Sequence, residues 1–217
     1  MIVIPLWADL LAVGIGALQG ATFAAQFRDR RLDLLGVAII GIATGLGGGL
    51  LRDILLAVRP AALSNNFYLL TATGAALLGM LLERLFSRIG VLITLLDALT
   101  IGLYCAIGTA KALSLGVPPV PAVFVGVLAA VGGSILRDLL LGVPIAVMSV
   151  GSLYAIAAVA GGTTLVVLAA VGLPLFLAAT ICVAVTFGVR VLAVRFKWTL
   201  PEQRSLRTFP RIRRPES

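Results

Sequence analysis

Apolar residues fall along this chain in seven blocks, parted by short joints that carry charge or proline. Read as membrane spans, the blocks cover 4–27, 34–58, 67–86, 91–115, 122–141, 149–171 and 175–196. Each approaches the roughly 20 apolar residues that a helix needs to cross a hydrocarbon core of ~30 Å. The joints are Arg28-Asp29-Arg30-Arg31, Arg59-Pro60, Ser87-Arg88, Pro118-Pro119, Pro144 and Pro174, residues that charge the chain or break a helix. No soluble domain fits between the blocks. From Lys197 onward the chain turns polar and carries Pro201, Pro210 and Pro215, a composition expected to stay disordered.

The blocks repeat. Gly47-Gly48-Gly49-Leu50-Leu51-Arg52-Asp53 returns 85 residues later as Gly132-Gly133-Ser134-Ile135-Leu136-Arg137-Asp138. Asp9, Gly14, Gly20 and Ala24 of the first span fall on Asp97, Gly102, Gly108 and Ala112 of the fourth, at an offset of 88. The repeated unit is three helices, an odd number, so its second copy enters the membrane from the opposite side. The fold class is therefore an all-α integral membrane protein of seven transmembrane helices, two inverted three-helix repeats plus a seventh helix. The expected divisions are 1–88 for the first repeat, 89–172 for the second, 173–196 for the seventh helix and 197–217 for a basic tail.

Composition agrees with a membrane protein. Sixty per cent of residues are apolar, only 12% are charged, and mean hydropathy is +1.14, which leaves too little polar surface for a water-soluble domain. The net charge of +8 is concentrated. Arg28, Arg30 and Arg31 follow the first span, Arg84 and Arg88 the third, and Arg195, Lys197, Arg204, Arg207, Arg211, Arg213 and Arg214 end the chain. Basic segments stay cytoplasmic, so the N-terminus is expected outside and the C-terminus inside, with Arg59 the one residue against. The tail reads as facing anionic lipid and not nucleic acid. The first block lacks a basic leader and a small-residue cleavage pattern, and reads as a retained span.

Charges at membrane depth are costly and are functional candidates by default. Asp9 and Asp97 lie about two turns inside their spans at ~1.5 Å per residue. Two symmetry-related pairs are expected, Asp9 with Arg52 and Asp97 with Arg137. Neighbours in sequence do not share a helix face, so Asp53 and Asp138 are expected to cap or reach other elements instead of pairing with Arg52 and Arg137. Each of these four acids also has a plainer reading, as an anchor whose charge reaches water. Lys111 has Phe23 as its counterpart, lies about four turns beyond Asp97, and either guards a pore entrance or snorkels outward. The glycines either let helices approach closely or loosen them into kinks. Cys105 and Cys182 read as small buried apolar residues. With no His in the chain, no zinc site is indicated, nor is a nucleophile with an evident base. No cofactor and no enzymatic activity are expected.

The doubled Gly-rich, Arg-Asp element, the Asp-to-Gly spacing of spans one and four, and Gly108-Thr109-Ala110-Lys111-Ala112-Leu113 resemble prokaryotic trimeric intracellular cation (TRIC) channels. The same sequence group includes proteins named as bacterial glycine transporters. The resemblance covers about residues 9–171. It implies a homotrimer with one pore per protomer, passing monovalent cations, chiefly potassium and also sodium, in a prokaryotic plasma membrane. It implies that Gly47, Gly48, Gly132 and Gly133 form kinks in spans two and five, and that Lys111 is the basic residue of span four near the pathway. Ser134 stands where the third glycine of the second motif would be. The Lys-Glu-Val element by which animal members engage a phosphoinositide is absent, so that regulation does not carry over.

Three functions follow as expectations. The first is a potassium-permeable channel gated at glycine kinks. Its oxygen ligands would be freed carbonyls beside Gly49 and its neighbours and the hydroxyls of Thr44, Thr109 and Ser134. The second is a small-amino-acid (glycine) transporter, whose broken helices would hold a carboxylate at a helix N-terminus. The third is a scaffold working through its basic tail.

Overall fold

The computed structural model describes residues 5–27, 32–83, 90–148 and 153–199. Arg28, Arg30, Arg31, Arg84, Arg88 and the tail beyond residue 199, on which the expected topology rests, lie outside the described residues. Among those described, the chain is all helix: α1 (Leu6–Ala25), α2 (Leu34–Leu55), α3 (Asn66–Leu81), α4 (Gly90–Ser114), α5 (Pro119–Leu141), α6 (Tyr154–Ala170) and α7 (Leu175–Arg195). Five of these are long and apolar enough to cross a bilayer, while α3 and α6 are shorter.

Local chemistry sets the ends. Asp33 caps α2 by accepting from Gly36 N (2.7 Å), and Asn65 caps α3 by accepting from Phe67 N (2.9 Å). Pro5, Pro118 and Pro174 precede α1, α5 and α7, where a missing N–H costs nothing. Against the blocks expected at 67–86 and 149–171, the third helices of the repeats run Asn66–Leu81 and Tyr154–Ala170, and a 3₁₀ turn, Ala61–Leu63 or Ala146–Met148, precedes each. Both second helices end in a left-handed residue, Ala57 (φ 52) and Gly142 (φ 58), at the same repeat offset. Val58 N bonds Asp53 O, and Val143 N bonds Asp138 O, each at 3.0 Å, which closes the last turn.

Packing follows the repeat. In the first unit α1 lies against α2 and α3; in the second α4 lies against α5 and α6. The units meet chiefly along α2 and α5, with α1 against α4 as a second seam. Helix α7 packs on both α4 and α6, and α4 touches α6 less than α1 touches α3. The interior is small: Ala12, Ala17, Ala21, Ala72, Ala76, Ala98 and Ala129 are fully buried, while Leu34, Leu81 and Val120 point outward. In lipid there is no hydrophobic drive to bury large side chains between helices, and small residues let backbones close up.

Candidate functional site

The glycine motifs meet. A Cβ on Gly47 would lie 3.3 Å from the Gly133 Cα, and one on Gly132 would lie 3.6 Å from the Gly48 Cα. A Cβ on Gly48 would sit on the Ala129 carbonyl oxygen, and one on Gly133 on that of Thr44. Gly47 faces Leu136 as Gly132 faces Leu51. Each contact is the repeat image of another, so the pseudo-twofold axis passes through this crossing. Both helices are α-helical throughout these stretches, so the expected freed carbonyls are absent there and the glycines act as notches. Gly49 lies one position off the notch, with only the Arg52 guanidinium near it. Tyr104 of α4 stands against Gly48 and donates its hydroxyl to Gly45 O. Its repeat counterpart is Gly16, so the crossing is blocked from one side only.

At one end of the bundle Asp9, Arg52, Asp53 and Lys111 form a single cluster. Arg52 reaches Asp9 through Nη1 (3.2 Å) and Asp53 through Nε (2.7 Å). Lys111 Nζ contacts Asp53 Oδ1 at 2.7 Å, and Tyr68 of α3 donates to Asp9 Oδ2 at 2.8 Å. Lys111 is the accessible member, its side chain a quarter exposed against 1% for Arg52. The plainer expectation for Lys111, snorkelling away, is replaced by this contact. Formal charges in the cluster sum to zero.

The other end holds Asp97, Arg137, Asp138 and a residue that the repeat does not contain, Arg190 of α7. Here the expected Asp97–Arg137 pair is replaced. Asp97 accepts from Gln19 Nε2 (2.7 Å) and from Arg190 (3.4 Å). Arg137 closes on Asp138 through both Nε (2.9 Å) and Nη2 (2.8 Å). Its guanidinium carbon lies 3.9 Å from the centroid of the Phe23 ring, and that of Arg190 lies 3.7 Å from the Tyr154 ring. Two departures from the repeat accompany this difference: Lys111 stands opposite Phe23, and Arg190 comes from α7, outside the repeat. With Lys111 sharing Asp53, Arg52 extends to Asp9. Phe23 supplies no charge to Asp138, so Arg137 is the cation that closes on that carboxylate, and it stacks on the ring. The vacancy at Asp97 is filled by α7. Burial is near complete for Asp97 (6%), Arg137 (3%) and Arg190 (6%).

Arg52 with Asp53, and Arg137 with Asp138, pair after all, against expectation. The rule about shared faces describes Cβ positions; at the last turn of a helix a long guanidinium arm folds back across its neighbour. The expected capping role is present as well. Asp53 accepts from Ala61 N, and Asp138 from Ala146 N, each at 2.8 Å. Each carboxylate therefore ties an arginine to the 3₁₀ turn that follows.

The candidate hydroxyls do not share a seam. Thr44 donates to Ile40 O (2.6 Å) and fills the space beside Gly20 between α1 and α2. Thr109 is buried against Gly126 and Gly162, and Ser134 donates to Val131 O (2.8 Å). Sequence reasoning missed Gln19, Tyr68, Tyr104, Tyr154 and Arg190. Two signals were available: Tyr68 and Tyr154 share an offset of 86, and Arg190 is a charge inside an apolar block.

A family model described as Glycine transporter matches residues 6–84 and 94–170. The chain is 36% identical to a UPF0126 membrane protein of Deinococcus radiodurans over 71% of its length and 72% of the relative's. It is 30% identical to the UPF0126 inner membrane protein YadS of Escherichia coli, over 90% and 94%. Among solved structures it is similar to the TRIC trimeric intracellular cation channel orthologue from Rhodobacter sphaeroides, with a TM-score of 0.81 at 29% identity over 89% of this chain and 98% of that one. A structure reported on conductance through TRIC cation channels matches with a TM-score of 0.81 at 30% identity, covering 93% and 98%. A reciprocal helix crossing, charge clusters at both ends, and these likenesses over most of the chain agree: this multi-pass membrane protein belongs to the glycine transporter (UPF0126) family and has the TRIC channel fold.

Proposed function

We propose that this protein is a monovalent cation channel, potassium-permeable, with one pore per protomer of a homotrimer. The reading is carried by the likeness, across about nine-tenths of the chain, to structures reported as TRIC cation channels. In this reading the path runs beside the α2–α5 crossing, between the Asp9 cluster and the Asp97 cluster. Carboxylates at both ends draw cations in, while paired arginines keep each acid from binding one too tightly; conduction needs sites that ions can leave. Gly47, Gly48, Gly132 and Gly133 are the hinge, and Tyr104 is the side chain that movement there would displace. Lys111 and Arg190 are the charges most able to shift, one because it is exposed and the other because its single ion pair is long. The N-terminus lies outside and the basic tail faces cytoplasmic anionic lipid.

The test is reconstitution in a planar bilayer between asymmetric potassium and sodium chloride solutions. Discrete currents reversing near the potassium potential are expected, and replacing Gly48 and Gly133 with Leu is expected to abolish gating. Saturable accumulation of labelled glycine by vesicles without such currents would transfer the assignment to a carrier.

A further inference from the structure

The seam between α4 and α7 is a ladder of antiparallel pairs. Asp97 meets Arg190, and eight residues along in opposite directions stand Cys105 and Cys182. Between these rungs the helices nearly touch, since a Cβ on Gly102 would lie 3.3 Å from the Val183 Cα. Both cysteines are free and buried, and both sulfurs face helix α6. Helix α6 covers them with two glycines: a Cβ on Gly161 would lie 3.2 Å from Cys182 Sγ, and one on Gly162 3.4 Å from Cys105 Sγ. The Cys105 thiol also donates to Ala158 O at 3.1 Å. An apolar groove of about 620 Å³ runs along the other side of the same seam, lined by Leu103, Ala106, Ala179 and Val183 and by neither cysteine.

We propose that Cys105 and Cys182 are a modification site, closing into a reversible disulfide that pins α7 to α4 when a small neutral peroxide enters the seam. One sulfur, giving up its proton, attacks a peroxide oxygen; the O–O bond breaks, water leaves and a sulfenic acid remains. The second sulfur attacks the first, the S–O bond breaks, and its proton leaves with the hydroxide as a second water. Two thiols lose two electrons in total, and hydrogen peroxide is reduced to two waters. The closeness of the two backbones at Gly102 and Val183 suits the short Cα separation a disulfide requires. Because the same seam carries Asp97 and Arg190, the closed disulfide holds that ion pair together.

The test treats the purified full chain with hydrogen peroxide, denatures it with N-ethylmaleimide present, and counts adducts by intact mass. Two adducts are expected before oxidation, none after it, and two again after reduction with dithiothreitol, with the chain running as a monomer on a non-reducing gel. In Cys182→Ser no disulfide can close, so oxidation is expected to leave Cys105 either with its adduct or with one added oxygen, and never with the two-hydrogen mass loss of the wild-type chain. Persistence of both adducts, irreversible oxygen addition to one sulfur, or disulfide-linked dimers would overturn the latch. A second readout rests on the channel reading: bilayer current should fall on oxidation, return with dithiothreitol, and ignore peroxide in Cys182→Ser. Adducts lost with current unchanged would overturn the coupling to Asp97 and Arg190. The adduct count needs no current, so its failure leaves the channel reading untouched.

Discussion

The arginine and aspartate positions at the two helix ends show how much a buried charge depends on its partners. Arg137 has Asp138 as its ion-pair partner, whereas Arg52 is shared between Asp53 and Asp9. Removing one member of a buried pair strands the other at a cost of about 3–5 kcal/mol. Asp138→Asn should therefore lose about that much stability in detergent unfolding, and Asp53→Asn less, because Arg52 keeps Asp9. Arg190 is held by an ion pair of 3.4 Å and the face of Tyr154, with its Nε unpartnered. Arg190→Gln should accordingly cost less than Arg52→Gln in the same assay; an equal loss would mean that Arg190 is as firmly held. Ala57 occupies a left-handed conformation (φ 52) where its repeat counterpart is Gly142. A Cβ is penalised there by roughly 1–2 kcal/mol, partly offset by the flexibility of glycine in the unfolded chain. Ala57→Gly should raise the unfolding midpoint.

At the scale of helices, glycine has two kinds of place. Gly48 and Gly133 face carbonyl oxygens of the opposing helix, whereas nothing lies within 4 Å of a Cβ placed on Gly74 or Gly188. Gly48→Ala and Gly133→Ala should each force α2 and α5 apart, destabilising by about 1–3 kcal/mol, and by similar amounts because the carbonyls they meet, of Ala129 and Thr44, are images of one another. Gly74→Ala and Gly188→Ala should instead gain up to about 1 kcal/mol of helix propensity. Thermal unfolding of the four variants separates the cases, and a marked asymmetry between Gly48 and Gly133 would count against a shared axis at the crossing. Helix α7 matters at this scale too. By wedging onto α4 and α6 it brings Arg190 to Asp97, which is why one cluster is not the copy of the other.

For the whole molecule, the two clusters are each charge-balanced yet unlike in access, since Lys111 is a quarter exposed. In the channel reading Lys111→Gln removes the cation nearest one mouth. It should raise potassium conductance at that side and alter rectification in the planar bilayer; unchanged current–voltage curves would remove Lys111 from the pathway. Light scattering of the detergent-solubilised protein should give the mass of three chains, and a monomer would refute the trimer.

The chain by itself determined its membrane class, its seven helices and their doubling, because a bilayer demands long apolar blocks and an offset of 85 to 88 residues is visible in the letters. It also placed Asp9 near Arg52, since both sit toward the same end of adjacent helices. What the tertiary structure decided is which partner each charge takes at the other end. Arg190 lies 93 residues from Asp97 and outside the repeat, so symmetry could not find it. Nor could helical spacing show Arg52 folding back onto Asp53, because side-chain reach is set by open space around the helix end. That α2 and α5 cross through their glycines without breaking was likewise settled by packing, since the same glycines suit a notch or a kink equally until a neighbouring helix fills the notch.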